Sequence, residues 1–433
     1  MKIPKITYLP FKSLLNKKNS EIRPLINFRG DSFVPSIEKD FDKSVLVNQK
    51  IISKDKSLEE FFDEFSNKVF KDENAKTLSN YLKKGYVTFS TSIYRNIKSP
   101  YSAKGVVLNP SNSPVKNCAV LEDEIKNNRG VGVNFSEFDN PIEQIRKINS
   151  YFKYREASTQ RPPAGIALLN INHPQILDFI TLKDKEDFKD WCFDLSVVIP
   201  DDFLTKVNTN ENITLSNGKT LRAKVIYNTL LNSMAKTGEP GVIFSNDKDY
   251  ICDCCATAPL KKDETLSLAH INLSKFYNNS KFDYDLMEKS ADILSVAMKN
   301  IDPNGYIGVL GYQTLLDKMN IPYGSKEGNE ILEKILKIIR AKALKNNIKT
   351  AISPTGGTAR FLKVSPSIEP RDNSKISYFQ EIDTLATAQK YLDGNISKTI
   401  ILKPDANIDE IASILKYAKS SGVKGISVYK ERK

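Results

Sequence analysis

Three sulfurs stand almost side by side in "DYICDCCATAPL" (249–260): Cys252, Cys254 and Cys255, from a chain of 433 residues with five cysteines. Thiols this close can hold a metal ion, exchange electrons as a disulfide, or fill a core. The spacing is not Cys-x-x-Cys and no second pair follows, so no metal site is expected, even with His270 downstream. Adjacent Cys254 and Cys255 would close into a disulfide only with backbone strain. The remaining local reading is a small buried hydrophobe. A second stretch, "SPTGGTAR" (353–360), is rich in amides and hydroxyls. Thr355, Gly356, Gly357 and Thr358 could wrap an anion. The stretch matches neither a P-loop nor a dinucleotide fingerprint, and alone it reads equally as a surface turn. "SIEPRD" (367–372) alone reads as a loop.

The rest of the chain bounds these readings. It is 40% hydrophobic and 27% charged, enough for one large core or two smaller ones. No run of about 18 apolar residues is present, so no membrane span is expected. The opening "MKIPKITYLPFKSLLNKK" lacks the apolar stretch and cleavage site of a signal peptide. An odd, sparse set of cysteines argues for reduced thiols and a cytoplasmic protein. The net charge of +12 fits a lysine-rich surface or an anionic partner such as a nucleotide. The lysines are scattered and no nucleic-acid motif with interleaved aromatics appears, so direct nucleic-acid binding is not expected.

The elements that must position the thiols are legible. The first 54 residues read as irregular. "SLEEFFDEFSNKVF" opens with Ser57 three residues before Glu60, a capping-box spacing, and "AKTLSNYLKKG" ends at Gly85. Together they predict a helical cap over 55–85. From Tyr86 to the end, short apolar runs alternate with amphipathic helices. "GVVL", "VGVNF", "GIALLNI", "LSVVIP", "GVIF", "HINL", "KTIIL" and "GISVY" read as strands. "NPIEQIRKINSYFKY", "VIYNTLLNSMAKTG", "YDLMEKSADILSVAMKNI", "EILEKILKIIRAKAL" and "IDEIASILKYAKSSG" read as helices. This alternation predicts one α/β domain over 86–433 with a mainly parallel sheet or barrel.

Taken in order, "RPPAGIALLNINHPQILDFITLKD", "DLSVVIPDDFL", "GEPGVIFSND", "HINLSKF", "GVLGYQTLLDKMNIPYGSKEGNEI", "SPTGGTARFLKVSPSIEP" and "ISKTIILKPDANIDEIASILKYAKSSGVKGISVYK" resemble the catalytic chain of ribonucleotide reductases. The adenosylcobalamin-dependent branch is the most similar, and the resemblance covers roughly residues 55–430. It implies a ten-stranded α/β barrel whose central finger loop carries a radical cysteine. The family's Asn-x-Cys-x-Glu motif, set by Pro259–Leu260 and Ile271–Leu273, places Cys255 on the radical cysteine, Asp253 on the asparagine and Thr257 on the glutamate. Leu266 falls on the second redox cysteine, and Cys118 in "SPVKNCAVL" on the first. Cys252 and Cys254 are left as bystanders.

The resemblance also implies roles elsewhere. Thr91, Asn117, Gln160 and Arg161 are expected to contact substrate, with Thr355, Gly356, Gly357 and Thr358 on its phosphates. The substrate is a ribonucleoside di- or triphosphate. The loop preceding the 141 helix is short, which implies reduced allosteric control, and no ATP-cone domain fits the first 50 residues. The ending "VYKERK" carries no Cys-x-x-Cys, and Tyr429 stands where enzymes fed by a radical subunit carry a Tyr-Tyr pair. Adenosylcobalamin is therefore favoured over a separate subunit, in a monomer or homodimer. With threonine and leucine at 257 and 266, the expected reductant is formate or a small thiol. A degenerate homologue that binds nucleotides or acts as a scaffold is the alternative, and another radical reaction on a nucleotide-like substrate stays open.

Overall fold

A computed structural model describes residues 38–430, apart from 160–161, 185, 187–189, 371–375, 397–398 and 404. Gln160 and Arg161 lie outside the described residues. Ten strands form the framework: β1 (Ala103–Val106), β2 (Gly130–Asn134), β3 (Gly165–Asn170), β4 (Phe193–Ile199), β5 (Gly241–Phe244), β6 (Leu268–Asn272), β7 (Tyr306–Leu310), β8 (Lys349–Thr350), β9 (Thr399–Leu402) and β10 (Gly425–Lys430). Strands β1 to β5 pair in sequence order, all parallel. Strands β6, β7 and β8 are likewise parallel neighbours, as are β9 and β10. A parallel bridge between Ile352 and Ile396 links the chain leaving β8 to the approach to β9.

The two five-stranded halves meet antiparallel at both seams. At one, β10 pairs β5, with Gly425 opposite Ile243. At the other, Thr265–Leu266, just ahead of β6, pairs β1, with Leu266 opposite Ala103. The strands thus follow the ten-stranded α/β barrel expected from the resemblance, in an eight-stranded sheet and a four-stranded one in which Val87–Phe89 also pairs antiparallel with β6. Eight of the ten were readable as apolar runs; β7 and β8 were not.

Each strand serves two environments because side chains alternate across it. Val131 and Val133 of β2, Ala167 and Leu169 of β3, and Ile307 and Val309 of β7 join the large core beneath the surrounding helices. Ile166 and Leu168, by contrast, form a small inner cluster with Val198, Ile243, Tyr250 and Cys252. A second inner cluster holds Ala103, Ala258, Leu260, Leu266, Leu268, Tyr306 and Ala351.

Ahead of the barrel, the helix Leu58–Val69 is capped by the Ser57 hydroxyl, which accepts from the Glu60 amide at 3.1 Å. Its apolar face sets Phe61, Phe62 and Phe65 against Tyr94 and Phe89. Phe62 and Phe41 also reach Phe361, on the short helix Gly356–Phe361. No helix among the described residues is long and apolar enough to cross a membrane.

Candidate active site

The connection from β5 to β6 enters the barrel. Ile251–Cys252 pairs antiparallel with Pro259–Leu260, making a hairpin whose tip is 253–258. Residues from both inner clusters lie on this hairpin. Glycines on the wall make room for it. A Cβ at Gly132 would stand 1.7 Å from the Cys252 carbonyl oxygen, and one at Gly130 would stand 2.2 Å from the Cys254 sulfur. On the opposite wall, a Cβ at Gly394 would lie 2.8 Å from the Thr257 carbonyl oxygen. Real Cβ atoms do not approach so closely, so glycine is required by the neighbouring backbone at 132 and 394 and by the Cys254 side chain at 130.

Hydrogen bonds fix the hairpin along its length. At its base, the Asn170 side chain donates to the Lys248 carbonyl at 2.7 Å, and Asn134 donates to the Tyr250 carbonyl at 3.0 Å. At its tip, the Asn395 amide donates to the Thr257 carbonyl at 2.6 Å, and its side chain donates to the Tyr250 hydroxyl at 2.9 Å. The Asn395 carbonyl then accepts from the Ile352 amide at 3.3 Å, next to Ser353. One residue thereby ties the finger tip to the strand end that leads into the glycine-rich stretch.

Asp253 organises the tip. It is buried, and its two carboxylate oxygens accept from the Cys255 amide at 3.0 Å and the Ala258 amide at 2.8 Å. Burial raises its pKa, while the amides of Ala258 and Cys255 pull it back. Asp253, Cys254 and Cys255 bring three ligand-type atoms within 4.8 Å of one another, but the carboxylate is already engaged by those amides. Ala256 follows at φ 55°, which turns the chain back toward β6. Cys255 is half-buried at this turn, whereas Cys252 is sealed and burial pushes its thiol well above the ordinary range. Thr257 is fully buried.

Cys254, expected as a bystander, lies beside Cys255 at this turn. Its sulfur lies 3.7 Å from that of Cys255, and it packs against the cluster of Ala103 and Leu266. Adjacency in sequence gave no sign of this, because the turn sets where the two side chains point.

Cys118 is corrected too. It lies on the helix Pro114–Lys126, not on a strand beside Cys255. It is buried in the outer core, close enough to Tyr151 of the helix Pro141–Glu156 to act on its ionisation. The reason is local: β1 ends at Val106, and Ser113 caps a helix with Pro114 in its first turn. That Ser-Pro signal was available in the sequence. Asn117 shares the helix. It donates to the Asn109 carbonyl at 3.3 Å and to the Gln144 side chain at 3.4 Å, again in the outer layer. The residue opposite Leu266 is Ala103, so an apolar pair occupies that seam.

The remaining predicted residues lie at two short helices, Thr91–Arg95 and Gly356–Phe361. Thr355 caps the helix Gly356–Phe361, and its hydroxyl accepts from the Ser367 amide at 2.7 Å. Thr358 is buried, while Gly357 faces open space, with the Gln49 amide 3.9 Å from where a Cβ would sit. Gln49 also accepts from Arg95, at the end of the helix Thr91–Arg95. Thr91 opens that helix, directly after Ser90 donates its amide to the Leu268 carbonyl at 2.9 Å. His270 was missed as part of the site. It is buried on β6, with Nε2 3.3 Å from the Ser353 hydroxyl and Nδ1 without a partner. Burial pushes its pKa down to about 4.

Comparison with known families agrees with this architecture. Residues 126–222 and 217–365 match the model described as ribonucleotide reductase, barrel domain, together more than half of the chain. The chain belongs to the ribonucleotide reductase family. It is 25% identical over 455 residues to the vitamin B12-dependent ribonucleoside-diphosphate reductase of Thermoplasma acidophilum, covering 73% of this chain and 59% of that one. It is 21% identical over 411 residues to the enzyme of the same name from Mycobacterium tuberculosis, covering 67% of this chain. The chain thus spans about 59% of the length of these curated relatives. The Actinobacillus ureae class Id ribonucleotide reductase alpha subunit superposes with a TM-score of 0.76 at 16% identity, covering 92% of this chain and 98% of that one. At that identity the likeness speaks for the fold.

Proposed function

We propose that this ribonucleotide reductase homologue reduces ribonucleoside diphosphates through a thiyl radical on Cys255. The observation that carries the reading is the placement of Cys255: a half-buried cysteine at the tip of a hairpin fixed inside a family barrel, its amide held by Asp253. The relatives are named as vitamin B12-dependent, and adenosylcobalamin, when bound, would supply a one-electron oxidation. The residues fit it in one respect that matters: Cys255 is only partly buried, while its neighbour Cys252 is fully buried.

The chain's own residues set the rest. Asp253 orients Cys255 and is a positioning residue, because both of its oxygens are used by backbone amides. Thr257 has no group that exchanges protons near neutrality, so it does not replace a glutamate as acid or base. The Ala103–Leu266 pair has no sulfur to give. Electrons therefore come from formate or a small thiol. Gly356, Gly357 and Thr358, with Thr355 at the helix start, receive the phosphates, and Thr91 contacts the same substrate. The protein works in the cytoplasm.

The test is deoxynucleotide formation by the purified chain with adenosylcobalamin, comparing formate, dithiothreitol and thioredoxin with its reductase. Turnover with formate or dithiothreitol, lost in Cys255→Ala, is expected. Turnover with thioredoxin alone removes the electron-supply reading. Nucleotide binding without turnover under any condition moves the assignment to a nucleotide-binding scaffold.

A further inference from the structure

We propose that Cys254 is a second redox-active sulfur of this site and forms a reversible vicinal disulfide with Cys255. The two sulfurs face each other at 3.7 Å, already near contact, and both residues are half-exposed. Neither position is accidental. Cys255 is pinned by the bond from its amide to Asp253. Cys254 sits in a notch that exists because residue 130 is glycine: any Cβ there would fall 2.2 Å from its sulfur. The other cysteines cannot take this place. Cys252 is fully buried, Cys118 is in the outer layer, and burial pushes the Cys192 thiol up to about 11.

The chemistry balances with an ordinary oxidant. The two thiols lose two protons and two electrons as one S–S bond forms. Hydrogen peroxide accepts them and leaves as two waters; a small disulfide accepts them by exchange and leaves as two thiols. Adjacent α-carbons are about 3.8 Å apart, short of the roughly 4.4–6.8 Å that disulfides usually span. The bond is therefore strained, and a mild dithiol reopens it. A strained pair at an accessible turn is suited to reversible use and unsuited to permanent bracing. Resting on Cys255 as the radical position, the closed bond takes its hydrogen out of service until a reductant restores it.

The experiment uses the full chain. It is treated with hydrogen peroxide or oxidised glutathione, alkylated, cleaved, and the peptide containing 249–260 is weighed before and after dithiothreitol. The expected product is this peptide two hydrogens lighter, with Cys254 and Cys255 protected from alkylation and Cys252 alkylated after unfolding. Dithiothreitol should return it to the starting mass. Cys252→Ala should still form the bond, and Cys254→Ser should not. Wild-type protein that keeps both thiols under oxidation, or a bond that persists in Cys254→Ser, overturns the proposal. The mass measurement needs no turnover, so it stands or falls separately from the reductase assay. Turnover without bond formation would sink this inference alone.

Discussion

Cys255 and Cys118 lie on opposite sides of the same sheet. Cys255 sits at a pinned turn inside the barrel, beside a second sulfur and under a buried carboxylate. Cys118 sits among helices, in an apolar layer where burial raises its thiol pKa. One has a reachable thiol with a fixed amide; the other fills volume. The difference teaches that a cysteine's role in this fold follows from which face of the wall it occupies, and that face is set by backbone geometry before any chemistry begins.

The strongest way to break the contrast is to close the room behind the finger. Gly132→Val drives a side chain into the Cys252 carbonyl, so the hairpin must leave the wall. A stability loss of about 3 kcal/mol or more is expected in chemical denaturation, together with rapid alkylation of Cys252. A variant as stable as the parent, with Cys252 still protected, would mean that the hairpin does not lie against β2.

Removing the grip on the tip should cost somewhat less. Asp253→Ala leaves two amides without acceptors, at about 1–3 kcal/mol each. Asp253→Asn keeps one acceptor oxygen and should recover part of the loss. Equal effects of the two substitutions would assign the role to charge and not to amide capture.

Acid should act on the inner face through His270. Its folded pKa lies near 4, while an unfolded histidine titrates near 6.5. Depression of a base means that the folded state resists protonation. This part of the stability is complete above about pH 6.5 and is lost as pH falls toward 4, by about 3 kcal/mol in total at the acid end and about half of that midway. His270→Gln should flatten that slope in urea melts taken across the window. An unchanged slope would place the acid sensitivity elsewhere, with buried His173 the next candidate, since burial lowers its pKa as well.

The smallest effect is expected at the other cysteine. Cys118→Ala should cost about 1 kcal/mol and leave turnover unchanged. A strong loss of turnover in a folded Cys118→Ala protein would return this residue to the chemistry and erase the contrast.

Much of this was legible beforehand, and the omissions have physical causes. β5 was read with its full extent because "GVIF" is apolar and bounded by turn residues. β8 has two residues in the sheet, too few for any period to show. β7 carries Gly308 at its centre and runs between two helices, so its apolar signal was absorbed by theirs. Cys255 was located by its distance from Pro259–Leu260, a spacing that survives because the hairpin pairs there. Cys118 was assigned from the resemblance of "SPVKNCAVL" alone, with no such anchor, and that segment is the start of a helix. His270 was weighed in the sequence only as a metal ligand: its meaning comes from reaching Ser353, which follows β8 two strands along the same sheet.

The finger is also the tether between the two halves of the barrel. Strands β1 to β5 are contiguous in the chain, as are β6 to β10, and the hairpin is the only covalent link between the sets. Within each half the pairings join successive strands; the seams pair Ala103 with Leu266 and Gly425 with Ile243. Those distant pairings carry the larger loop-closure cost, so each half can assemble before the ring is sealed. The hairpin then needs no threading into a finished ring, because the halves close around it. During biosynthesis its three thiols remain open to the solvent until both seams have formed, so a reducing compartment protects this chain most while it is still folding.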